Sequence, residues 1–152
     1  MSRPELLLSN QLCFLVYRLE REISARYRPL LQRLGLTYPQ YLAMLVLWEQ
    51  DGRTVTELCR LLGLDTGTVS PLLRRLEQAG LLKRCRNRGD ERSVVVELSL
   101  AGKKLEEQAA SIPAALASCL GIGTREYAGL HRTFSDVLAK LPRVRNAGTV
   151  SR

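Results

Sequence analysis

A chain of 152 residues, 45% hydrophobic but only 5% aromatic, suits one domain with a core built mainly from leucine and valine. Its 23 Lys and Arg against 15 Asp and Glu leave a formal net charge of +8, which favours a polyanionic partner: DNA, RNA or an anionic membrane surface. The longest apolar run, Tyr41 to Trp48, is far short of the roughly 20 residues of a membrane span. The first ten residues also lack the layout of a signal peptide, so the expected setting is the cytoplasm, away from membranes, where thiols stay reduced.

Four elements precede any hairpin. Apolar side chains at Leu12, Val16, Leu19 and Ile23 share one helical face, and the spacing predicts a first helix from about Glu5 to about Arg28, ended or bent by Pro29. Thr37 with Gln40 forms a capping box and Pro39 sits in the first turn, opening a second helix that stops before Asp51-Gly52. Thr54 with Glu57 repeats the capping box for a short helix, Val55 to Leu62, which Gly63 terminates. Asp65 is a suitable cap for a helix reaching about Ala79, although Ser70 followed by Pro71 is an alternative start.

Strand-rich sequence follows. Leu81 to Arg86 and Ser93 to Leu98 read as two strands around the turn Asn87-Arg88-Gly89-Asp90. Two helices, about Ala101 to Leu120 and Thr124 to Leu141, complete the fold and leave residues 142–152 as a loose tail. The cysteines, Cys13, Cys59, Cys85 and Cys119, show no Cys-x-x-Cys spacing and His131 is the sole histidine, so neither a metal site nor a cofactor is expected.

Helix, tight turn, helix and hairpin in that order describe a winged helix-turn-helix, so the fold class is mainly α with a small β-hairpin wing. The second helix of the pair presents Asp65, Thr66, Thr68, Ser70 and Pro71 early, small enough to approach base edges in a major groove, with Arg74 and Arg75 farther along for phosphate or guanine. Leu72, Leu73 and Leu76 are expected to point inward. The hairpin carries Lys83, Arg84, Arg86, Arg88 and Arg92, suited to a minor groove. Asp90 is placed to brace the Arg92 guanidinium. A solvated charged hairpin is the plainer alternative, and its union with the helix pair makes DNA the better one.

Asp90-Glu91-Arg92-Ser93 resembles the Asp-x-Arg wing signature of the MarR family of bacterial repressors, and the stretch Leu64 to Glu77 resembles that family's recognition helix. The resemblance implies a homodimer whose N- and C-terminal helices (5–34 and 101–141) interlock, leaving residues 37–98 as the DNA-binding lobe with wing 81–98. It also implies a palindromic double-stranded operator with half-sites about one helical turn apart.

Leu8-Ser9-Asn10-Gln11-Leu12-Cys13-Phe14 further resembles the opening of the OhrR-type regulators within that family, which respond to organic hydroperoxides. That resemblance makes Cys13 the redox sensor, Tyr27 and Tyr38 its supporting phenols and Cys119 the second cysteine of a two-cysteine subclass. A peroxidatic sulfur must be a thiolate, and phenolic hydroxyls can donate to it. Tyr17, one turn from Cys13, is a further supporter. Tyr27 is 14 residues from Cys13, roughly 21 Å along a continuous helix, so contact needs a bend or a second subunit, and the resemblance implies the partner subunit. Oxidation to a sulfenic acid and then an intersubunit disulfide would move the helices and release DNA. Leu12, Phe14 and Val16 would suit a hydroperoxide with an apolar tail.

Cys59 and Cys85 read as small core hydrophobes, and His131 as a surface residue. Two competing functions remain: a repressor relieved by a small aromatic or phenolic ligand, and a thiol peroxidase. The second lacks any other catalytic constellation and leaves the helix-turn-helix unexplained, so the chain reads as a regulator with no catalytic residues.

Overall fold

A computed structural model of the chain describes residues 3–87, 89, 90 and 92–142. Arg88 of the expected wing set and the expected loose tail from residue 143 onward lie outside the described residues. Among the described residues seven α-helices and three strands follow in the order α1 (Leu12–Gln32), α2 (Tyr38–Glu49), β1 (Arg53–Thr54), α3 (Val55–Leu62), α4 (Thr66–Gln78), β2 (Leu82–Arg86), β3 (Val94–Leu98), α5 (Leu100–Ala109), α6 (Ile112–Leu120) and α7 (Thr124–Lys140). The mainly helical winged helix-turn-helix architecture is as the sequence predicts.

The helix starts follow the capping residues. Gln40 accepts from the Thr37 N–H at 2.8 Å, and Thr54 and Glu57 exchange both bonds of their box. Each satisfies donors that a helix start leaves open. Gly63 ends α3 with φ +67°, a left-handed conformation that a side chain would strain.

Four expectations are corrected. The first helix starts at Leu12, not near Glu5, because residues 4–10 form two single 3-10 turns; the Asn10 and Gln11 amides donate back to the carbonyls of Pro4, Glu5 and Leu7. Pro29 does not end α1, which runs on to Gln32. The turn beyond Pro29 buries Leu31 and packs Leu30 against the core, and that burial outweighs one missing backbone bond. The helix expected over 101–120 is two, α5 and α6, broken at Ala110-Ser111 with Pro113 in the first turn of α6. Finally, β1 adds a third strand that periodicity could not reveal in two residues.

The sheet has the order β1-β3-β2 and is antiparallel throughout, pairing Arg53 with Val96 and Arg84 with the same Val96 on the other side. The core lies under this sheet and between α2, α3 and α4, where Met44, Leu47, Leu58, Leu73, Leu76 and Val96 have no exposed surface. Two polar ties join the end of α2 to α5 and to the end of β3. The Trp48 indole N–H donates to the Gly102 carbonyl at 2.9 Å. The Asp51 carboxylate accepts from the Leu98 N–H at 2.8 Å and pairs with Lys103 at 3.2 Å. Outside this lobe the apolar faces are open: Leu12, Leu15, Val16 and Leu19 of α1 and Phe134, Val137 and Leu138 of α7 are exposed, and α7 buries no residue.

Candidate nucleic-acid interface and thiol site

The helix-turn-helix is α3, the Gly63-Leu64-Asp65 turn and α4. Asp65 settles the start of α4: its carboxylate accepts from the Thr68 N–H at 2.8 Å, and Pro71 lies inside the helix. Asp65 therefore caps the N-terminal end of α4. Val69, Leu72, Leu73 and Leu76 are buried, which fixes the opposite face. On that face Thr68, Pro71 and Arg75, spaced by three and four, are exposed together with Thr66 and Arg74, while Ser70 is half-buried.

The wing turn is built from short bonds. Asn87 Oδ1 accepts from the Gly89 N–H at 3.0 Å, and the Asn87 N–H donates to the Ser93 carbonyl at 2.9 Å. The expected brace between Asp90 and the Arg92 guanidinium is corrected: Asp90 Oδ1 accepts from the Arg92 backbone N–H at 3.1 Å. Asp90 therefore shapes the turn, and the Arg92 side chain is exposed beside a cleft. Arg86 is exposed as well. Arg84 departs from the minor-groove role expected of the hairpin cations. Its Nε and Nη2 donate to one oxygen of Glu77 at 2.9 and 2.7 Å, so its fork is engaged within the fold.

Between α4 and the wing runs a cleft of about 390 Å³ lined by Thr56, Thr66, Ser70, Asp90, Arg92 and Ser93. Thr56 was not among the expected site residues. Its signal was present in the Thr54-x-x-Glu57 box, which places residue 56 in the first turn of α3, beside N–H groups that suit a phosphate.

The thiol residues are distributed differently. Cys13 lies one residue inside α1 and is exposed; Cys119 is exposed near the end of α6. All four cysteines are free thiols. Cys59 is half-buried against the core, its Sγ 3.9 Å from Thr66 Oγ1, and Cys85 is half-buried in β2, as expected of structural cysteines. Tyr27 and Tyr38 come together, with ring centroids 4.6 Å apart, and Tyr27 also contacts Tyr41 at 5.8 Å. Cys13 does not join them within one chain, because α1 is unbroken between residues 13 and 27. Tyr17 is turned the other way: its hydroxyl accepts from Arg21 Nη1 at 3.1 Å, one turn farther on. His131 is exposed on α7, stacked on Tyr127 at 6.3 Å.

Burial, and then the neighbouring Tyr38, push the Tyr27 phenol up to about 12. Burial, and then the Glu20 carboxylate, raise Tyr38 as well. Both hydroxyls thus keep their protons at neutral pH and remain hydrogen-bond donors. Among the described residues no cluster of three or more His, Cys, Asp or Glu could hold a metal, and no helix is long and apolar enough to cross a membrane.

Residues 25–109 match the family model described as transcriptional regulator SarA/Rot. The chain is 51% identical over 106 residues to the organic hydroperoxide resistance transcriptional regulator of Bacillus subtilis, covering 70% of this chain and 72% of that protein. Among solved structures it is similar to reduced AbfR of Staphylococcus epidermidis bound to DNA, with a TM-score of 0.77 at 34% identity over 91% of this chain and 95% of that one. The disulfide-formed AbfR gives a TM-score of 0.61 at 36% identity over 87% and 88%. By fold and by sequence the chain belongs to the MarR/SarA family of winged helix-turn-helix transcriptional regulators, and it is a regulator rather than an enzyme.

Proposed function

We propose that this chain is a homodimeric, cytoplasmic repressor that binds a palindromic operator and releases it when an organic hydroperoxide oxidises Cys13. One observation carries the reading. The exposed Cys13 lies near the start of α1, and Tyr27 lies roughly 21 Å farther along the same helix, stacked on Tyr38 of the first turn of α2. Two copies laid against each other in opposite directions would bring Cys13 of one against Tyr27 and Tyr38 of the other. The exposed apolar faces of α1 and α7 are the surfaces that such pairing would cover. A groove of about 430 Å³ between Leu19, Ile23, Leu120 and Phe134 would receive side chains of the second copy. The Bacillus subtilis relative supports the class of inducer. The greater likeness to DNA-bound reduced AbfR than to its disulfide form supports a DNA-competent conformation.

The chemistry balances in two steps. The Cys13 thiolate attacks the terminal peroxide oxygen, the O–O bond breaks, and an alkoxide leaves and takes a proton to become an alcohol. Cys13 is then a sulfenic acid. A second thiol, Cys119 of the other subunit, forms an S–S bond with it and releases water. That bond requires Cα atoms within about 7 Å; where the reduced dimer holds the two cysteines farther apart, forming it draws α1 and α6 together and carries the two α4 helices out of step with successive major grooves. Thr66, Thr68, Ser70, Arg74 and Arg75 would read the major groove, and Arg86 and Arg92 the minor groove.

Cys13→Ser protein is expected to hold operator DNA in the presence of cumene hydroperoxide, whereas the unsubstituted protein lets go. Release by the Cys13→Ser protein would overturn the reading. On non-reducing electrophoresis after peroxide, a covalent dimer band should disappear in Cys119→Ser; a persistent band would remove Cys119 from the second step. The ligand-relieved alternative has one point in its favour, an open cleft of about 670 Å³ between α1 and the start of α2 that includes Tyr38. Release of DNA from Cys13→Ser protein by a phenolic acid would favour it.

A further inference from the structure

A recognition helix and a wing that touch DNA together must be held at one angle to each other. The wing base is held by Asp51 through the Leu98 N–H at the end of β3, but Asp51 does not reach α4. Midway along the wing a second link does. Glu77, in the last turn of α4, accepts from the Arg84 backbone N–H at 2.9 Å through one oxygen, and from Arg84 Nε and Nη2 at 2.9 and 2.7 Å through the other. Arg84 is the central residue of β2 and pairs with fully buried Val96. Since β2 is an outer strand, this N–H has no strand partner on its outer side and Glu77 supplies one. The carboxylate thus grips both the main chain and the side chain of the wing.

We propose that the Glu77–Arg84 pair is a positioning strut that locks the wing at a fixed angle to α4, so that Arg92 and the outer face of α4 engage one DNA duplex at once. The inference rests on the DNA-binding reading above. A solitary exposed ion pair contributes little. This one is two-thirds buried on each side (30% and 33% exposed) and has three bonds in a fixed geometry, which is what orientation requires. The Arg84 hydrogen bonds hold the Glu77 carboxyl below its ordinary range, so it stays ionised at neutral pH.

Electrostatics alone and the strut predict opposite signs. Removing an acidic charge beside a DNA surface should tighten binding to a polyanion; removing the strut should loosen it. The probe is a fluorescein-labelled duplex recovered by the wild-type protein from a random-sequence pool. Glu77→Gln is expected to weaken binding to it about tenfold, and to make Arg92→Ala, which should cost about tenfold in the wild type, cost less than about twofold, because coupled residues are not additive. Hydroxyl-radical protection in the minor groove beside each half-site should fade in Glu77→Gln while major-groove protection persists. Unchanged or tighter binding by Glu77→Gln, with Arg92→Ala costing its full factor there, would overturn the strut. Should Glu77→Gln not fold, Arg84→Lys carries the same test: it keeps the charge and the main-chain bond but loses the planar fork. Full additivity with Arg92→Ala in that variant overturns the strut too. A wild-type protein that recovers no duplex would sink the DNA-binding reading itself, a result distinct from additivity.

Discussion

Tyr27 combines three properties in one residue: a half-buried ring stacked on Tyr38, a raised phenol that keeps its proton, and a place on the helix that carries Cys13. If its hydroxyl donates to the partner's Cys13 thiolate, Tyr27→Phe should slow oxidation of Cys13 about tenfold, near 1.4 kcal/mol of barrier. Stopped-flow thiol loss under excess cumene hydroperoxide measures this, and an unchanged rate would remove Tyr27 from the sensor. Gly102 is a residue of another kind. A Cβ there would meet the Leu81 carbonyl oxygen at 2.0 Å, at the crossing of α5 over the start of β2. Gly102→Ala should therefore cost about 1–3 kcal/mol of stability from overpacking, read as a lower urea midpoint. A midpoint equal to the wild type's would show that α5 yields freely. No sequence pattern marks Gly102, because its constraint comes from a neighbour 21 residues earlier.

At the scale of elements, what could be read depended on how local the cause was. The boxes at Thr37-Gln40 and Thr54-Glu57, the Gly63 stop and the Asp65 cap each act within four residues, and α2, α3 and α4 start where those residues put them. Pro29 and the break at Ala110-Ser111 went the other way. Whether a helix passes a proline depends on what the next turn buries, and Leu31 is buried in a core shared with other elements that no local pattern contains. β1 was unreadable since its pairing partner, β3, lies 40 residues on. Among the expected site residues, Thr66, Thr68 and Arg92 are exposed, as local pattern led one to expect. Arg84 was misread because its partner Glu77 sits on another element. The α1 and α7 faces lead to a prediction of their own: Leu19→Glu with Phe134→Glu should turn a dimer into a monomer in light scattering and abolish tight binding to a palindrome. A dimer that survives both changes would place the interface elsewhere.

For the whole molecule, pH and salt are the probes. Glu77 and Glu57 lie below their ordinary value of 4.5, through bonds from Arg84 and from the Thr54 N–H respectively. Asp51, although burial raises it, is brought below 3.8 by the Leu98 N–H, Lys103 and the Gly52 N–H. A lowered native value means that the stabilisation is present above the ordinary value and is lost as pH falls through the native one. Raised Tyr27, Tyr38 and Tyr41 contribute below pH 10 and lose that contribution as pH climbs toward 12. The melting temperature should thus be level between about pH 5 and 9 and fall at both ends; a steady rise from pH 4 down to 3 would contradict the three carboxylate assignments. The formal charge of +8 and the basic wing predict operator affinity that drops on the order of a thousandfold from 50 to 200 mM salt.

The central claim links one sulfur to the spacing of two recognition helices, and fluorescence anisotropy on the selected palindromic duplex tests it most directly. Reduced protein should bind tightly, and one equivalent of cumene hydroperoxide per Cys13 should weaken binding at least about tenfold, with dithiothreitol restoring it. Equal affinity before and after stoichiometric oxidation of Cys13 would contradict the account.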